Sequence, residues 1–237
     1  MTQGLIIHTG NILQLPDLKR KPGHTPADEL NDTLKIQLSK TLAEGSHEIF
    51  APSELSSLLN PEERNSQKIT VKLFFLSTPQ PEYVKTALDA ALQELGATYA
   101  DLFLISWPSG INLKDSETLW NAMENVFDQE KAHSLGVSDV DTQGFVELHN
   151  SARIKPEAIQ INLESCCVVP PELVTFTREN NIQLLTHNDP QNILPTETLK
   201  NILPSLEEVL WTVRYQTLLR CRGIIKNKGY VISTHVD

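Results

Sequence analysis

Between residues 69 and 186 the chain alternates short apolar runs with amphipathic stretches, and this restricts its fold more than any other feature. The run at 69–77 is bounded by turn residues and almost continuously apolar, as in a strand buried on both faces. A second buried strand is predicted at 101–107, stopped by Pro108, and shorter ones at 133–138, 158–163 and 182–186. Between them lie helical patterns. Pro81 opens one that runs through Leu95 to Gly96, the proline-first, glycine-last asymmetry of helices. Residues 116–131 place Leu119, Met123, Val126 and Phe127 on one face, with Glu117 in the first turn. Further helices are predicted at 142–151 and 171–179.

Outside this region, 5–13 suits a strand, and Leu30, Leu34, Leu38 and Leu42 make a helical stripe within 28–43. Residues 45–67 read as an irregular loop with a short helical piece. A long helix is predicted over 206–222, followed by a strand at 223–226. Strands alternating with helices mean βα units and a parallel sheet. Periodicity alone does not separate a closed barrel from a doubly wound sheet. The latter usually has a Gly-rich phosphate loop after its first strand, and none follows Leu13. A barrel is therefore favoured.

With 237 residues, the chain is long enough for one substantial core, and a single domain over 1–237 is expected. A formal net charge of −10 argues against general nucleic-acid binding, which needs cations to replace phosphate counterions. The start MTQGLIIHTG lacks the basic region and apolar run of a signal peptide, and no stretch reaches bilayer-spanning length. Cys166, Cys167 and Cys221 form no even framework, so a reducing compartment, cytosol or nucleus, fits best.

Several segments resemble a known family. DLFLISWP at 101–108 is similar to an aldo/keto reductase strand that commonly reads Asp-Leu-x-Leu-Ile-His-Trp-Pro. TLWNAMENVFDQEKAHSLGVSD at 118–139 resembles that family's helix leading to Gly-Val-Ser-Asn. AIQINLESCCVVPPELVTFTRENNIQLL at 158–185 resembles its Asn-Gln-Val-Glu strand, helix and next strand. The agreement is collinear from about residue 69 to 230. It implies a (β/α)8 TIM barrel, here C-terminally shortened, with a site at the C-terminal strand ends.

The family's chemistry, by the same resemblance, uses an aspartate, a tyrosine acid, a lysine that lowers the tyrosine's pKa and a histidine. Lys72 matches the lysine, but Ser106 stands at the histidine position and is no tunable donor. The tyrosine precedes the lysine in the family, whereas the first tyrosine here is Tyr83; Phe50 falls roughly where the aspartate belongs. Of the residues that hold the nicotinamide, Ser138 and Gln160 persist and Asp139 replaces asparagine. A full adenosine-phosphate segment after 223–226 is not expected before Asp237. The resemblance therefore implies no bound cofactor and no reductase catalysis, and no metal is expected, since His187 and Asp189 alone are too few ligands.

Within the superfamily, INLESCCVVPPEL at 161–173, IQLLTHNDP at 182–190, RGIIKNKGY at 222–230 and HTGNIL at 8–13 resemble the branch of glutamate–cysteine ligase regulatory subunits. That resemblance implies a cytoplasmic, non-catalytic partner of the ligase's catalytic subunit, joined as a heterodimer in glutathione biosynthesis. The alternatives are a divergent NADPH-dependent reductase and an adaptor barrel for another protein.

Individual residues carry competing readings. Lys72, in so apolar a strand, needs an acidic neighbour: it is a structural ion-pair member, a relic of catalysis or a partner contact. Cys166 and Cys167 are small apolar residues, an intersubunit disulfide or a redox switch. His187, Asn188 and Asp189 form either a side-chain-bonded turn before Pro190 or a functional strand-end loop. Residues 211–230 hold Arg214, Arg220, Arg222, Lys226 and Lys228 without an acid, so they read as a solvated helix face, a relic of phosphate binding or a contact for an acidic partner. Lys226 and Lys228 are the interface candidates there.

Overall fold

The computed structural model describes residues 3–15, 18, 24–44, 61–107, 110, 113–162, 168–190 and 192–237. Phe50, the predicted loop through residue 60, Cys166 and Cys167 lie outside the described residues, as do the side chains of Leu38 and Leu42.

The chain begins with strand β1 (Gln3–His8), a 3-10 turn (Ile12–Gln14) and helix α1 (Pro26–Glu44), followed by a short α2 (Pro61–Arg64). The predicted βα units then follow in order: β2 (Gln67–Phe75), α3 (Pro81–Leu95), β3 (Leu102–Ser106), α4 (Leu113–Asp128), β4 (Leu135–Ser138), α5 (Thr142–Ser151), β5 (Ala158–Asn162), α6 (Pro171–Glu179) and β6 (Gln183–His187). Local chemistry sets the boundaries. Pro81 starts α3, Gly96 closes it, and Asp141 caps α5 by accepting from the Gly144 N–H at 2.7 Å.

Strands β2 to β6 pair in parallel, neighbour to neighbour. One face of this sheet, including Val71, Phe103, Ile105, Val137 and Ile159, packs under the helices with Val84, Leu88, Trp120, Met123 and Phe145 in one core. The expected α/β fold of aldo/keto reductase type is present, among the described residues, as an eight-stranded mixed sheet ordered β1-β8-β7-β2-β3-β4-β5-β6.

The end of the chain corrects the sequence reading. Residues 206–222 are not a helix: β7 (Leu206–Leu219) runs antiparallel to β2, after a short α7 (Thr196–Lys200). The predicted strand at 223–226 is the start of a much longer β8 (Ile224–Val236), which pairs with β7 on one side and β1 on the other. Val209, Trp211, Val213, Tyr215 and Thr217 alternate at period two and are all buried. β-Branched and aromatic residues at that spacing fit a pleated surface better than a helix. The other face of this antiparallel part is covered by α1 and the segment before β7: Leu30, Leu34, Ile193 and Leu199 pack on Ile7, Phe74, Tyr230 and Ile232.

Candidate functional site

At the C-terminal ends of β2–β6, where barrel enzymes place their chemistry, the fold gathers a closed network of charges. Register aligns its members: Ser106, Ser138 and Gln160 are paired across β3–β5, Asn162 pairs with His187, and Lys72 with Arg214.

Asp189 is the hub. Its carboxylate lies 2.9 Å from Lys72 Nζ, with both side chains 2% exposed. Arg214 grips it with both terminal nitrogens, the bond to Oδ2 measuring 2.9 Å. Asn162 Nδ2 donates to the Asp189 carbonyl at 2.8 Å. Asp139 forms a second node: the hydroxyls of Ser106 and Ser138 each donate to its Oδ2 at 2.8 Å. His187 joins the two nodes, with Nε2 3.0 Å from Asp139 Oδ1 and Nδ1 3.3 Å from Asp189 Oδ2.

The electrostatics follow from burial against pairing. Burial pushes the Lys72 ammonium below its ordinary value, and Asp189 opposes the shift. Burial works against the Asp189 carboxylate, but His187, Arg214 and Lys72 together outweigh it and hold its pKa well below the usual carboxylate range. His187 is likewise opposed by burial, yet the Asp139 and Asp189 carboxylates raise it above its ordinary value. A raised histidine contributes stability that is fully present below about pH 6.5 and lost as pH rises through the raised value. An NMR titration of His187 is therefore expected to report a midpoint above 6.5, and His187→Gln to flatten the fall in stability across that window. A midpoint at or below 6.5 would contradict the two-carboxylate clamp.

The structure thus brings together Lys72, Ser106, Ser138, His187 and Asp189 among the residues singled out in the sequence. Lys72 has the acidic neighbour its burial requires. Gln160 lines the same face, and its buried Oε1 has no hydrogen-bond partner among the described residues. Asn188 is exposed between two inward-facing neighbours. Lys226 and Lys228 lie elsewhere: Lys226 meets Glu63 at 2.8 Å, and Lys228 pairs with Glu29, which also accepts from the Tyr230 hydroxyl at 3.2 Å. Arg214 corrects the solvated-helix reading, because on β7 its side chain turns into the interior. Asp139 marks a departure from asparagine in sequence, and its position after a strand end is the signal that places it in the network.

The cluster is poor in catalytic options. The Lys72 amine is held by a carboxylate and not by a phenol, and the Ser106 hydroxyl is turned onto Asp139. Asp139 is the more open of the two carboxylates, at 29% exposure, and borders a cleft of about 820 Å³ lined also by Trp107, Trp120 and Glu117. Among the described residues, no group of three His, Cys, Asp or Glu side chains is arranged to hold a metal, and no helix is long and apolar enough to cross a membrane.

Residues 44–188 match the aldo/keto reductase family. The glutamate–cysteine ligase regulatory subunit of Homo sapiens is 34% identical over 96% of this chain and 91% of its own length. A putative glutamate–cysteine ligase regulatory subunit of Schizosaccharomyces pombe is 23% identical over 98% of this chain and 97% of its own length. Among solved structures, an aldo-keto reductase from a Medee basin deep-sea metagenome library shares 28% identity over 48% of this chain and 41% of that one, with a TM-score of 0.41. The chain belongs to the aldo/keto reductase family and, within it, to the glutamate–cysteine ligase regulatory subunits.

Proposed function

We propose that this protein is the non-catalytic regulatory subunit of a glutamate–cysteine ligase, acting as one domain over residues 1–237. It binds the catalytic subunit as a cytoplasmic heterodimer, improves glutamate use and relieves glutathione feedback inhibition in glutathione biosynthesis. The observation that carries this reading is 34% identity to a regulatory subunit along nearly the whole of both chains. The strand-end chemistry supports it. Reductase catalysis needs a phenol near Lys72 to act as a general acid, and the lysine is instead neutralised by Asp189. Nor is the grip on a nicotinamide carboxamide retained: the Ser138 hydroxyl donates to Asp139, and the Asp139 carboxylate has no donor for the carboxamide oxygen. Lys72, Ser106, Ser138 and Gln160 are then relics that now serve packing. Cys166, Cys167, His187, Asn188, Asp189, Lys226 and Lys228 remain the sequence-derived candidates for partner contact, of which Asp189, with its side chain buried, contributes through the network behind the surface.

Regulation by such a subunit is a coupling free energy, typically about 1–3 kcal/mol, or roughly 5–150-fold in affinity. Mixing the protein with its catalytic subunit is expected to lower the KM for glutamate and raise the glutathione inhibition constant within that range. A stoichiometric complex with unchanged kinetics would sink the proposal. Titration of NADPH separates it from the reductase reading: saturable quenching or enhancement of nicotinamide fluorescence would favour the enzyme.

A further inference from the structure

The antiparallel hairpin β7–β8 ends on the side opposite the Asp189 network, because Leu219 pairs with Gln67 at the start of β2. Its tip is unusual for a surface turn. Ile224 is 52% exposed and Ile225 42%, and they are two of the three large apolar side chains exposed among the described residues. Successive strand residues point to opposite faces. Ile224, paired with Leu219, and Ile225, paired with Leu218, therefore make both faces of the tip apolar. Gly223, at φ +62°, supplies the left-handed residue that closes the turn and projects the isoleucines outward.

Charge surrounds this apolar end. Arg220 reaches back to Asp101 and Lys226 to Glu63, tying the two flanks of the turn to the body of the protein. Arg222, exposed at the tip, has no carboxylate partner among the described residues. From Trp211 to Tyr230 there is no Asp or Glu, in a chain whose net charge is −10. Exposed apolar residues beside an unpaired arginine are the composition of a docking anchor. The unpaired cation specifies the partner's sign, and the strongly acidic remainder of the chain disfavours an anionic lipid surface.

We propose that the β7–β8 tip, Ile224 and Ile225 with Arg222, docks into an apolar pocket rimmed by carboxylates on the ligase catalytic subunit. This rests on the regulatory-subunit reading and adds the surface that such a reading leaves open. Apolar burial at the two isoleucines supplies the affinity, and Arg222 orients the hairpin and speeds encounter.

The test uses the full-length chain and its catalytic subunit, with affinity measured by calorimetry and association state by sedimentation. The I224S/I225S double variant is expected to weaken the complex roughly tenfold or more with an unchanged melting curve, since it alters only exposed side chains. R222E is expected to weaken it several-fold at low salt, with the loss shrinking as salt is raised. R222E keeps the proposal testable even if the double variant misfolds. Wild-type affinity of R222E at low salt, or of a well-folded double variant, would overturn the docking surface while leaving the regulatory reading intact. Failure of the unaltered protein to bind the catalytic subunit would overturn the regulatory reading itself. Retention of the unaltered protein on phosphatidylserine vesicles, or its self-association, abolished by I224S/I225S while the heterodimer is unaffected, would assign the tip to a membrane or a second copy and overturn the proposal.

Discussion

Replacing Asp189 with alanine is expected to cost about 3–5 kcal/mol of stability, the range for removing one member of a buried ion pair. The loss is large because two cations depend on this carboxylate. Lys72, 2% exposed, and Arg214, 12% exposed, would face each other with no counter-charge between them. For a chain of this size the melting temperature would fall by roughly 6–20 °C. Lys72→Met is expected to be much milder, about 1 kcal/mol, because Asp189 keeps its two bonds to Arg214 and its contact with His187. This asymmetry distinguishes a structural hub from a relic without function. A D189A protein melting within a degree or two of the unaltered chain would show that the network does not hold the strand ends together. The contribution of Asp189 also has a defined pH sense: its depressed pKa means that the stability is present above the ordinary carboxylate value and disappears only as pH falls far below it.

Gly229→Ala is expected to cost about 3 kcal/mol or more, by overpacking together with loss of a buried hydrogen bond. A methyl group there would stand 2.1 Å from the Tyr215 hydroxyl and 2.2 Å from the Gly10 carbonyl oxygen. Those two atoms are themselves hydrogen-bonded at 2.9 Å, so the methyl group would wedge open the contact that ties the start of the chain to β7. Backbone cannot yield as a flexible side chain does, and β1 would lose its seat on β8. Urea unfolding would register a lower midpoint, and hydrogen exchange would show β1 amides opening first. A G229A protein with an unchanged midpoint would mean that the close approach of Gly10, Tyr215 and Gly229 is not a packing constraint. Y215F/G229A is expected to regain part of the loss, since the hydroxyl goes but the Gly10 carbonyl stays.

The two variants probe halves of the molecule that differed in legibility. The βα units from β2 to β6 were readable because their signals are local. Strands buried on both faces must be apolar runs, helices covering one face must repeat near 3.6 residues, and Pro81, Gly96 and Asp141 mark where the backbone changes conformation. The need of Lys72 for an acid was equally readable, since a buried ammonium cannot stand alone. Its partner was not, because Asp189 lies 117 residues away.

The misread segment shows where local signals fail. LEEVLWTVRYQTLL contains apolar residues dense enough to satisfy a helical and a strand period at once. Intrinsic propensities differ by less than about 1 kcal/mol per residue and do not settle such a tie. Long-range pairing settled it: β2 offers a nine-residue edge running from Gln67 to Phe75, and β7 takes it antiparallel. That choice turns Arg214 from a surface residue into the second cation on Asp189, seats β1 on β8 and exposes Ile224 and Ile225 at the opposite end. The sequence by itself determined the parallel units, since their signals depend on what stands at each position. The charge network and the exposed hairpin were decided only in three dimensions, because ion pairs and strand partners are set by which distant segments meet.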